Sequence, residues 1–348
     1  MVKKHICSGL IERVHQPLAR SDWVAKKIKG HLLDQPKIKA KDIVKDVQHD
    51  HRVRLSYIQA WRGKEVAREM IDESHKQQYH DLPLYIEKIR RTNPGTEVRI
   101  HIDEGKFKRL FITYRPCIMG FVSECRPLIG INGTFLKGKY QGILLCTIAV
   151  DANNGFFLLA LAAVENENYQ SWYWFLSILS ELLNRYLNLP ALTIISHRQK
   201  SLPEAIEKCF PTCFPSFCMQ HMGKNFKGFM KRSANTEVLL MLFWKAARKA
   251  TIGGFEKIMF NIQCADLEAY DWIKNIPPKF WADAYFSGSR YSHLTSNVAE
   301  YFNAWILSAL EKPIITMCQE IKIQLMARFE EKRELGNTWS GMLVLKAQ

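Results

Sequence analysis

Three apolar runs lie close together near the middle of the chain, and they constrain the fold more than any other stretch. Residues 127–131, 143–150 and 156–164 are rich in Ile, Leu, Val and Phe and are nearly continuous. Such runs are typical of strands that are buried on both faces. Gly, Asn and Asp residues, which tolerate the positive φ of tight turns, separate the runs. The pattern predicts an antiparallel three-strand meander at the start of an α/β core.

The second and third runs together also have the length of a membrane span. Asp151, Asn153 and Asn154 lie in the middle of residues 143–164. Such polar side chains are costly in hydrocarbon. The polar turn therefore favours two strands over a membrane helix, and no membrane partner is expected.

A helix and a further strand follow the three runs. Apolar residues recur at helical spacing from Trp172 to Tyr186, and Pro190 ends the pattern. Residues 192–195 then have the composition of a fourth strand. Three antiparallel strands, a helix and a further strand form the opening order of an RNase H-like core.

Several motifs along the chain resemble the transposase domain of plant Mutator-like elements (MULE transposases), and they occur in the family's order. They are INGTFLKGKYQG, AVDANNGFFLLALAAVENENYQSWYWFL, IISHRQKSL, FCMQHMGKNF and RYSHLTSNVAEYFNAWIL. The resemblance implies an RNase H-like nuclease domain that cuts and joins DNA with two divalent cations, Mg²⁺ or Mn²⁺, held by an Asp-Asp-Glu triad. It also implies a protein that acts in the nucleus.

The resemblance assigns this triad to three positions, two of which have lost their acid. Asn132 and His197 stand where the family has its two Asp residues, and Glu300 matches the third acid. Two-metal phosphoryl transfer needs hard anionic oxygens, whereas an amide lacks the charge and an imidazole suits zinc or copper better. We therefore expect a catalytically inactive domain. Asp151 and Glu165 are the nearest surrogate acids in the sequence.

A second ligand-bearing motif follows the fourth strand. The family carries a Cys-x-x-His pair here, and Cys218 and His221 preserve it. Cys209 and Cys213 bring the number of nearby zinc ligands to the four that a tetrahedral site requires. The resemblance supports only Cys218 and His221, and two ligands do not close a site. Zinc is thus one alternative, and a buried Cys beside a hydrogen-bonded His is the other.

The charge of the chain favours a polyanionic partner. There are 49 Lys and Arg residues against 34 Asp and Glu, which gives a net charge of +15. Residues 40–47 and 57–70 predict a short helix, a turn and a longer helix capped by Ser56, the proportions of a helix-turn-helix unit. The candidate DNA contacts are Arg62, Lys64, Arg68, Lys137, Lys139, Arg198 and Lys200. In the alternative, the basic residues of the helix form a solvated face.

These patterns divide the chain into four parts. They are a basic helical N-terminal unit at 1–95, an RNase H-like core at 96–221 and 295–335, a helical insertion at 222–294 and a tail at 336–348. Members of the family often end with a cysteine-rich zinc module, and nothing after Cys318 could supply one. The chain is therefore expected to be a truncated, degenerate member of that family.

The leading hypothesis is a transposon-derived DNA-binding protein that is catalytically inactive. One alternative is an active DNA transposase with an unorthodox metal site made of Asn132, His197 and Glu300. Another is a protein-interaction scaffold, because a fold does not by itself imply a function. A homo-oligomer is an open question for each of them.

Overall fold

The protein is described here from a computed structural model. The structure describes residues 16, 18–186, 189–199, 202–231 and 233–338. The chain divides into two compact units, Met1–Asp81 and Leu82–Gln348. The boundary between the units lies after Asp81, whereas the sequence pattern predicts a boundary after residue 95.

The described part of the first unit consists of three helices: α1 (Ser21–Asp34), α2 (Ala40–His51) and α3 (Tyr57–His80). The third helix begins where the sequence predicts. Its start is stabilised by a capping box, in which the Ser56 hydroxyl accepts from the Gln59 amide and the Gln59 side chain accepts from the Ser56 amide. The helix runs past residue 70 because no Gly or Pro interrupts residues 71–80.

The second unit opens with a helix and a hairpin. These elements are α4 (Leu82–Thr92), β1 (Glu97–Asp103), β2 (Lys106–Thr113) and α5 (Arg115–Glu124). Pro83 lies in the first turn of α4, where its missing N–H costs no hydrogen bond. β1 pairs with β2 in antiparallel orientation.

The predicted meander is present and forms the centre of the sheet. Its strands are β3 (Cys125–Phe135), β4 (Ile143–Asp151) and β5 (Phe156–Val164). β4 pairs in antiparallel orientation with both β3 and β5. Every residue from Ile143 to Val150 is buried, which explains why the apolar run is continuous rather than alternating.

The next elements extend the sheet on the β3 side. They are α6 (Tyr169–Leu183), β6 (Thr193–Ser196), α7 (Leu202–Cys209) and β7 (Phe214–Phe217). β6 runs parallel to β3, and β7 runs parallel to β6. The seven strands lie in the order β1-β2-β5-β4-β3-β6-β7, which confirms the α/β fold class.

The remaining helices are α8 (Met219–Phe229), α9 (Thr236–Ala247), α10 (Ile252–Ala265), α11 (Leu267–Lys274), α12 (Asn297–Trp305) and α13 (Ile314–Asn337). Helices α8 to α11 surround a separate apolar core that includes Phe226, Phe243 and Trp281. In the described part of the chain, no helix combines the length and the apolarity needed to cross a membrane.

Two sequence-based boundaries near the C-terminus need revision. Tyr301, Trp305, Ile306 and Leu310 predict a helix over residues 296–310, but the helix ends at Trp305 and a 3₁₀ turn follows at Ala309–Glu311. Beyond Trp305 the backbone forms hydrogen bonds to the third preceding residue, such as Ala309 to Ile306, and the Lys137 amide donates to the Leu310 carbonyl at 2.8 Å. The tail expected from residue 336 begins inside α13, and residues 339–348 lie outside the described residues.

Candidate functional site

The first two triad positions lie side by side at the carboxyl ends of two parallel strands. Gly130 of β3 is the register partner of Ile195 of β6. Asn132 and His197 each lie two residues further along: Asn132 is inside β3, three residues before its end, and His197 directly follows β6. Because side chains two residues apart point to the same face, the two side chains are neighbours at this edge of the sheet.

The third triad position reaches the same edge from α12. The start of that helix lies against β3, since a Cβ built on Gly130 would lie 3.7 Å from Val298 Cγ2. The Glu300 carboxylate accepts a hydrogen bond from Gln220 Nε2 at 2.9 Å and lies 3.7 Å from Lys224 Nζ. Both partners belong to α8, which begins at the same edge, so the fold brings the three positions together.

A carboxylate that the sequence patterns did not single out also lies at this edge. Glu167 Oε1 is 3.1 Å from His197 Nε2. A Cβ built on Gly133 would lie 3.0 Å from Glu167 Cδ, so the carboxylate also lies against the end of β3. Gln199 supports the arrangement, because its Nε2 donates to the Glu167 carbonyl at 2.8 Å.

The sheet topology gives the signal that would have identified Glu167. β3 and β5 are both antiparallel to β4, so they run parallel to each other and end at the same edge. Any acid shortly after β5 is therefore a candidate neighbour of residues 132 and 197. Only the strand directions show this, because proximity along the sequence does not record them.

The two surrogate acids lie elsewhere in the second unit. Asp151 ends β4, which runs in the opposite direction, and its carboxylate lies 3.5 Å from Lys332 Nζ. Glu165 directly follows β5, but its carboxylate forms an ion pair with Arg109 at 2.7 Å. Neither residue contacts the triad positions through the hydrogen bonds and ion pairs of the described residues.

The Cys-x-x-His pair lies next to the triad positions. The Cys218 thiol is buried at the N-terminus of α8 and accepts hydrogen bonds from the Ser296 amide at 3.3 Å and the Ser296 hydroxyl at 3.2 Å. Burial raises the pKa of Cys218, but hydrogen bonds from His221 and Ser296 outweigh it and bring the pKa down to about 7. The ring of His221 lies 5.8 Å from the ring of His197.

The hydrogen bond between Cys218 and His221 shifts the pKa of His221 upward, whereas it shifts the pKa of Cys218 downward. The bond with Cys218 raises the pKa of His221, against burial, which lowers it. Both shifts act toward the charged forms, a thiolate at Cys218 and an imidazolium at His221.

The other two cysteines lie against a different element. Cys209 Sγ donates to the Tyr173 carbonyl of α6 at 3.8 Å, and Cys213 packs against the same apolar core. Burial raises the pKa of each thiol to about 11. Among the described residues, no three His, Cys, Asp or Glu side chains are arranged to hold a metal ion. The zinc site stays a prediction.

The residues at the triad edge do not fit two hard divalent cations. The Asn132 side-chain oxygen carries no charge and accepts from the Gly133 amide at 3.0 Å. The Glu167 carboxylate is engaged with His197, and the Glu300 carboxylate with Gln220 and Lys224. A pair of Mg²⁺ ions needs several anionic oxygens, and the Asn132 amide and the His197 imidazole supply none.

The predicted DNA contacts on α3 differ in availability. Arg62 is exposed. Lys64 Nζ donates to the Ile38 carbonyl within the three-helix unit, and Arg68 forms a 2.9 Å ion pair with Glu65. Arg62 is therefore the one of the three that α3 presents to solvent without a described hydrogen bond or ion pair.

The remaining predicted contacts lie near the triad edge. Lys137 and Lys139 belong to the loop that leaves β3, and Arg198 is exposed directly after His197. Lys200 lies outside the described residues. Three of these basic side chains thus belong to segments that leave the carboxyl ends of β3 and β6.

Residues 128–225 match the MULE transposase domain. The chain contains a MULE-like domain. The matched range includes Asn132, His197, Cys218 and His221, and it ends before Glu300. The MULE-like domain thus covers β3 to β7 and the start of α8.

The chain is also similar to a plant protein. Protein FAR1-RELATED SEQUENCE 6 of Arabidopsis thaliana is 19% identical over 260 residues, which cover 71% of this chain and 36% of that protein. The chain therefore spans little more than a third of that relative's length. The similarity extends beyond the MULE-like domain into neighbouring parts of the chain, since the domain match covers residues 128–225 alone.

Proposed function

We propose that this chain is a transposase-derived DNA-binding protein whose MULE-like domain has lost two-metal nuclease activity. The observation that carries the proposal is the pair Asn132, in the second half of β3, and His197, directly after β6, where the resemblance expects two Asp residues. An amide and an imidazole do not provide the hard anionic oxygens that hold two Mg²⁺ ions beside a phosphodiester.

The strand order supports an RNase H-like core for the MULE-like domain. The meander β3, β4 and β5 is followed by α6 and by β6, which pairs with β3 in parallel. In that architecture the substituted positions are the ones at which catalytic acids are expected. The substitution of two acids therefore affects the centre of the site and not its rim.

The partners of the remaining carboxylates support the same proposal. Glu167 contacts His197, and Glu300 contacts Gln220 and Lys224. Cations that bound here would have to displace these contacts. The protein's own donors and cations thus take the place of metal ions as neighbours of the two carboxylates.

DNA is the proposed partner, and the nucleus is the proposed location. The net charge of +15 favours a polyanion, and a MULE-like domain belongs to proteins that handle DNA. The three-helix unit at residues 18–81 adds a separate helical surface for binding. Binding that depends on Lys and Arg contacts to phosphates weakens steeply as salt rises, because counterions are released from DNA.

The test measures nicking and binding on the same purified chain. We expect no nicking of linear duplex DNA in Mg²⁺ or Mn²⁺, and duplex binding that falls steeply between low and physiological salt. The Glu300→Gln variant is the control. Robust cleavage by the wild-type chain that this variant abolishes would overturn the inactive assignment, and salt-independent or absent duplex binding would overturn the DNA partner.

A second candidate function is a metal-dependent nuclease that uses Glu167. The contact of Glu167 with the end of β3 and with His197 favours it, because together with Glu300 it brings two carboxylates to the triad edge. In that case Glu167→Gln and Glu300→Gln would each abolish cleavage, and calorimetry would detect Mn²⁺ binding to the wild-type chain. We expect neither, since the Asn132 amide and the His197 imidazole add no anionic oxygen to these two carboxylates.

A further inference from the structure

The N-terminal half of α3 carries large apolar side chains in solvent beside a basic one. Tyr57, Ile58 and Trp61 are 62%, 59% and 50% exposed, and Arg62 is exposed next to them. We call these four residues the α3 surface. Ile58, Trp61 and Arg62 are three and four positions apart, so they are neighbours along one helical face. A contiguous apolar patch of this kind marks a binding surface more often than a scattered residue does.

The packing of α3 on α1 determines which face points outward. Ala60, Gly63 and Ala67 are buried, and a Cβ built on Gly63 would lie 2.4 Å from Val24 Cγ1. Successive residues of an α-helix are rotated by about 100°. Ile58 and Trp61 therefore lie on the side opposite this contact. The close approach of the two helices holds the α3 surface in solvent.

Two basic residues lie further along the same side of α3. Lys64 and Arg68 follow Tyr57 and Trp61 by seven residues, so they lie within about 20° of them around the helix axis. Lys64 contacts the Ile38 carbonyl, and Arg68 contacts Glu65. Arg62 is thus the basic side chain of this side of α3 for which the described residues show no hydrogen bond or ion pair.

The charge around the α3 surface favours an anionic partner. Residues 52–64 contain Arg52, Arg54, Arg62 and Lys64 and no Asp or Glu. Arg52 and Arg54 are exposed in the short connection between α2 and α3. The N-terminus of α3 adds partial positive charge. The first acid along the helix, Glu65, is paired with Arg68.

We propose that the α3 surface reads duplex DNA from the major groove. The inference rests on the proposed DNA binding and names the element and the groove. α2, the connection and α3 have the order of a helix-turn-helix unit, in which the N-terminal residues of the second helix contact base edges. An α-helix fits the major groove, where thymine methyl groups offer apolar contacts and guanine accepts from Arg.

Each side chain then has a distinct role. Ile58 and Trp61 contact apolar base edges and sugars, which makes binding depend on sequence. Arg62 reaches a base edge or a phosphate at the edge of the groove. Arg52 and Arg54, which lie before the helix, contact phosphates and set its position without reading sequence. A protein partner would instead have to carry a strongly acidic patch to match this surface.

The experiment selects bound fragments from a pool of short random-sequence duplexes with the full-length chain. Affinity for the selected sequence and for the unselected pool is then measured for four proteins. They are the wild type, Ile58→Ala/Trp61→Ala, Arg62→Ala and the matched control Arg68→Ala. Helical content and thermal unfolding are measured for each, because all four substituted side chains are largely exposed and the fold should be unchanged.

We expect the apolar double variant to lose about tenfold or more in affinity for the selected sequence and to bind the unselected pool almost as the wild type does. Arg62→Ala should weaken binding by about five- to tenfold. The control should stay within about twofold, because Arg68 already pairs with Glu65 and lies about two turns beyond Trp61, away from the N-terminal residues that enter the groove.

The outcomes separate this inference from the proposed function. If the wild-type chain binds duplexes and the double variant binds them with the same affinity and preference, the major-groove assignment is wrong and DNA binding stands. If the double variant instead changes only the oligomeric state, the α3 surface is a protein interface and the inference is wrong as well. If the wild-type chain binds no duplex, both proposals fail.

Discussion

The imidazole of His197 lies 3.1 Å from the carboxylate of Glu167, across the connections that follow β6 and β5. His197 occupies a position at which the resemblance expects an acid, and its neighbour is an acid that lies outside the triad positions. Where the resemblance expects a carboxylate beside a metal ion, this chain has an imidazole beside a carboxylate.

Restoring the two acids should restore cation binding. In Asn132→Asp/His197→Asp, two new carboxylates would join Glu167 and Glu300 at the carboxyl ends of β3 and β6. Hard oxygen ligands and added negative charge favour divalent cations. We expect the double variant to bind Mn²⁺ at least tenfold more tightly than the wild-type chain, as measured by isothermal titration calorimetry.

A third substitution provides the control for this gain. Adding Glu300→Gln should remove most of the new Mn²⁺ affinity, because it takes away one ligand and one charge. If the triple variant bound Mn²⁺ as tightly as the double variant does, Glu300 would not be the third acid. A double variant that binds no more Mn²⁺ than the wild-type chain would show that the two positions do not share a site.

The pair Arg109–Glu165 should contribute strongly to stability. Arg109 is only 10% exposed and donates to the Glu165 carboxylate through Nη2 at 2.7 Å and Nε at 3.0 Å. Glu165→Ala would leave a buried guanidinium without its counter-ion, which costs about 3 kcal/mol. Urea unfolding should show this loss in the free energy of unfolding. Glu237→Ala, which removes an exposed partner of Lys227, should cost less than about 1 kcal/mol.

Two glycines of the three-helix unit should respond to alanine in opposite directions. In Gly63→Ala the new methyl group would meet Val24, so we expect a loss of about 1–3 kcal/mol in the free energy of unfolding. Gly30 lies inside α1 with no atom near its Cβ position, and Gly30→Ala should stabilise by about 0.5–1 kcal/mol. Thermal unfolding distinguishes the two. Equal effects would contradict the close approach of α1 and α3.

The Cys218 thiol should ionise near neutral pH. The pKa of about 7 lies below the ordinary value of 9.0, so the thiolate fraction should rise as the pH passes through 7. The difference in ultraviolet thiolate absorbance between the wild-type and Cys218→Ser chains measures this midpoint. His221→Gln should move the midpoint upward, because the thiolate loses one hydrogen-bond donor while burial still raises the pKa of the thiol. An unchanged midpoint would exclude His221 as the cause.

Local sequence signals predicted most of the elements around the site. The apolar runs that became β3, β4 and β5 and the capping residue Ser56 depend on short-range physics, namely burial, turn preference and helix capping. Boundaries were predicted less well. The helix that ends at Trp305 is the example, since the following backbone changes to hydrogen bonds to the third preceding residue, such as Ala309 to Ile306.

The amino-acid sequence by itself determined the α/β class and the meander, because these depend on residue type and on spacing along the chain. Only the tertiary structure decided that Glu167 neighbours His197 and that α3 turns Ile58 and Trp61 outward. Such relationships depend on strand direction and on which helix face is packed. Pairing between distant segments sets both of them, and no local pattern in the chain records that pairing.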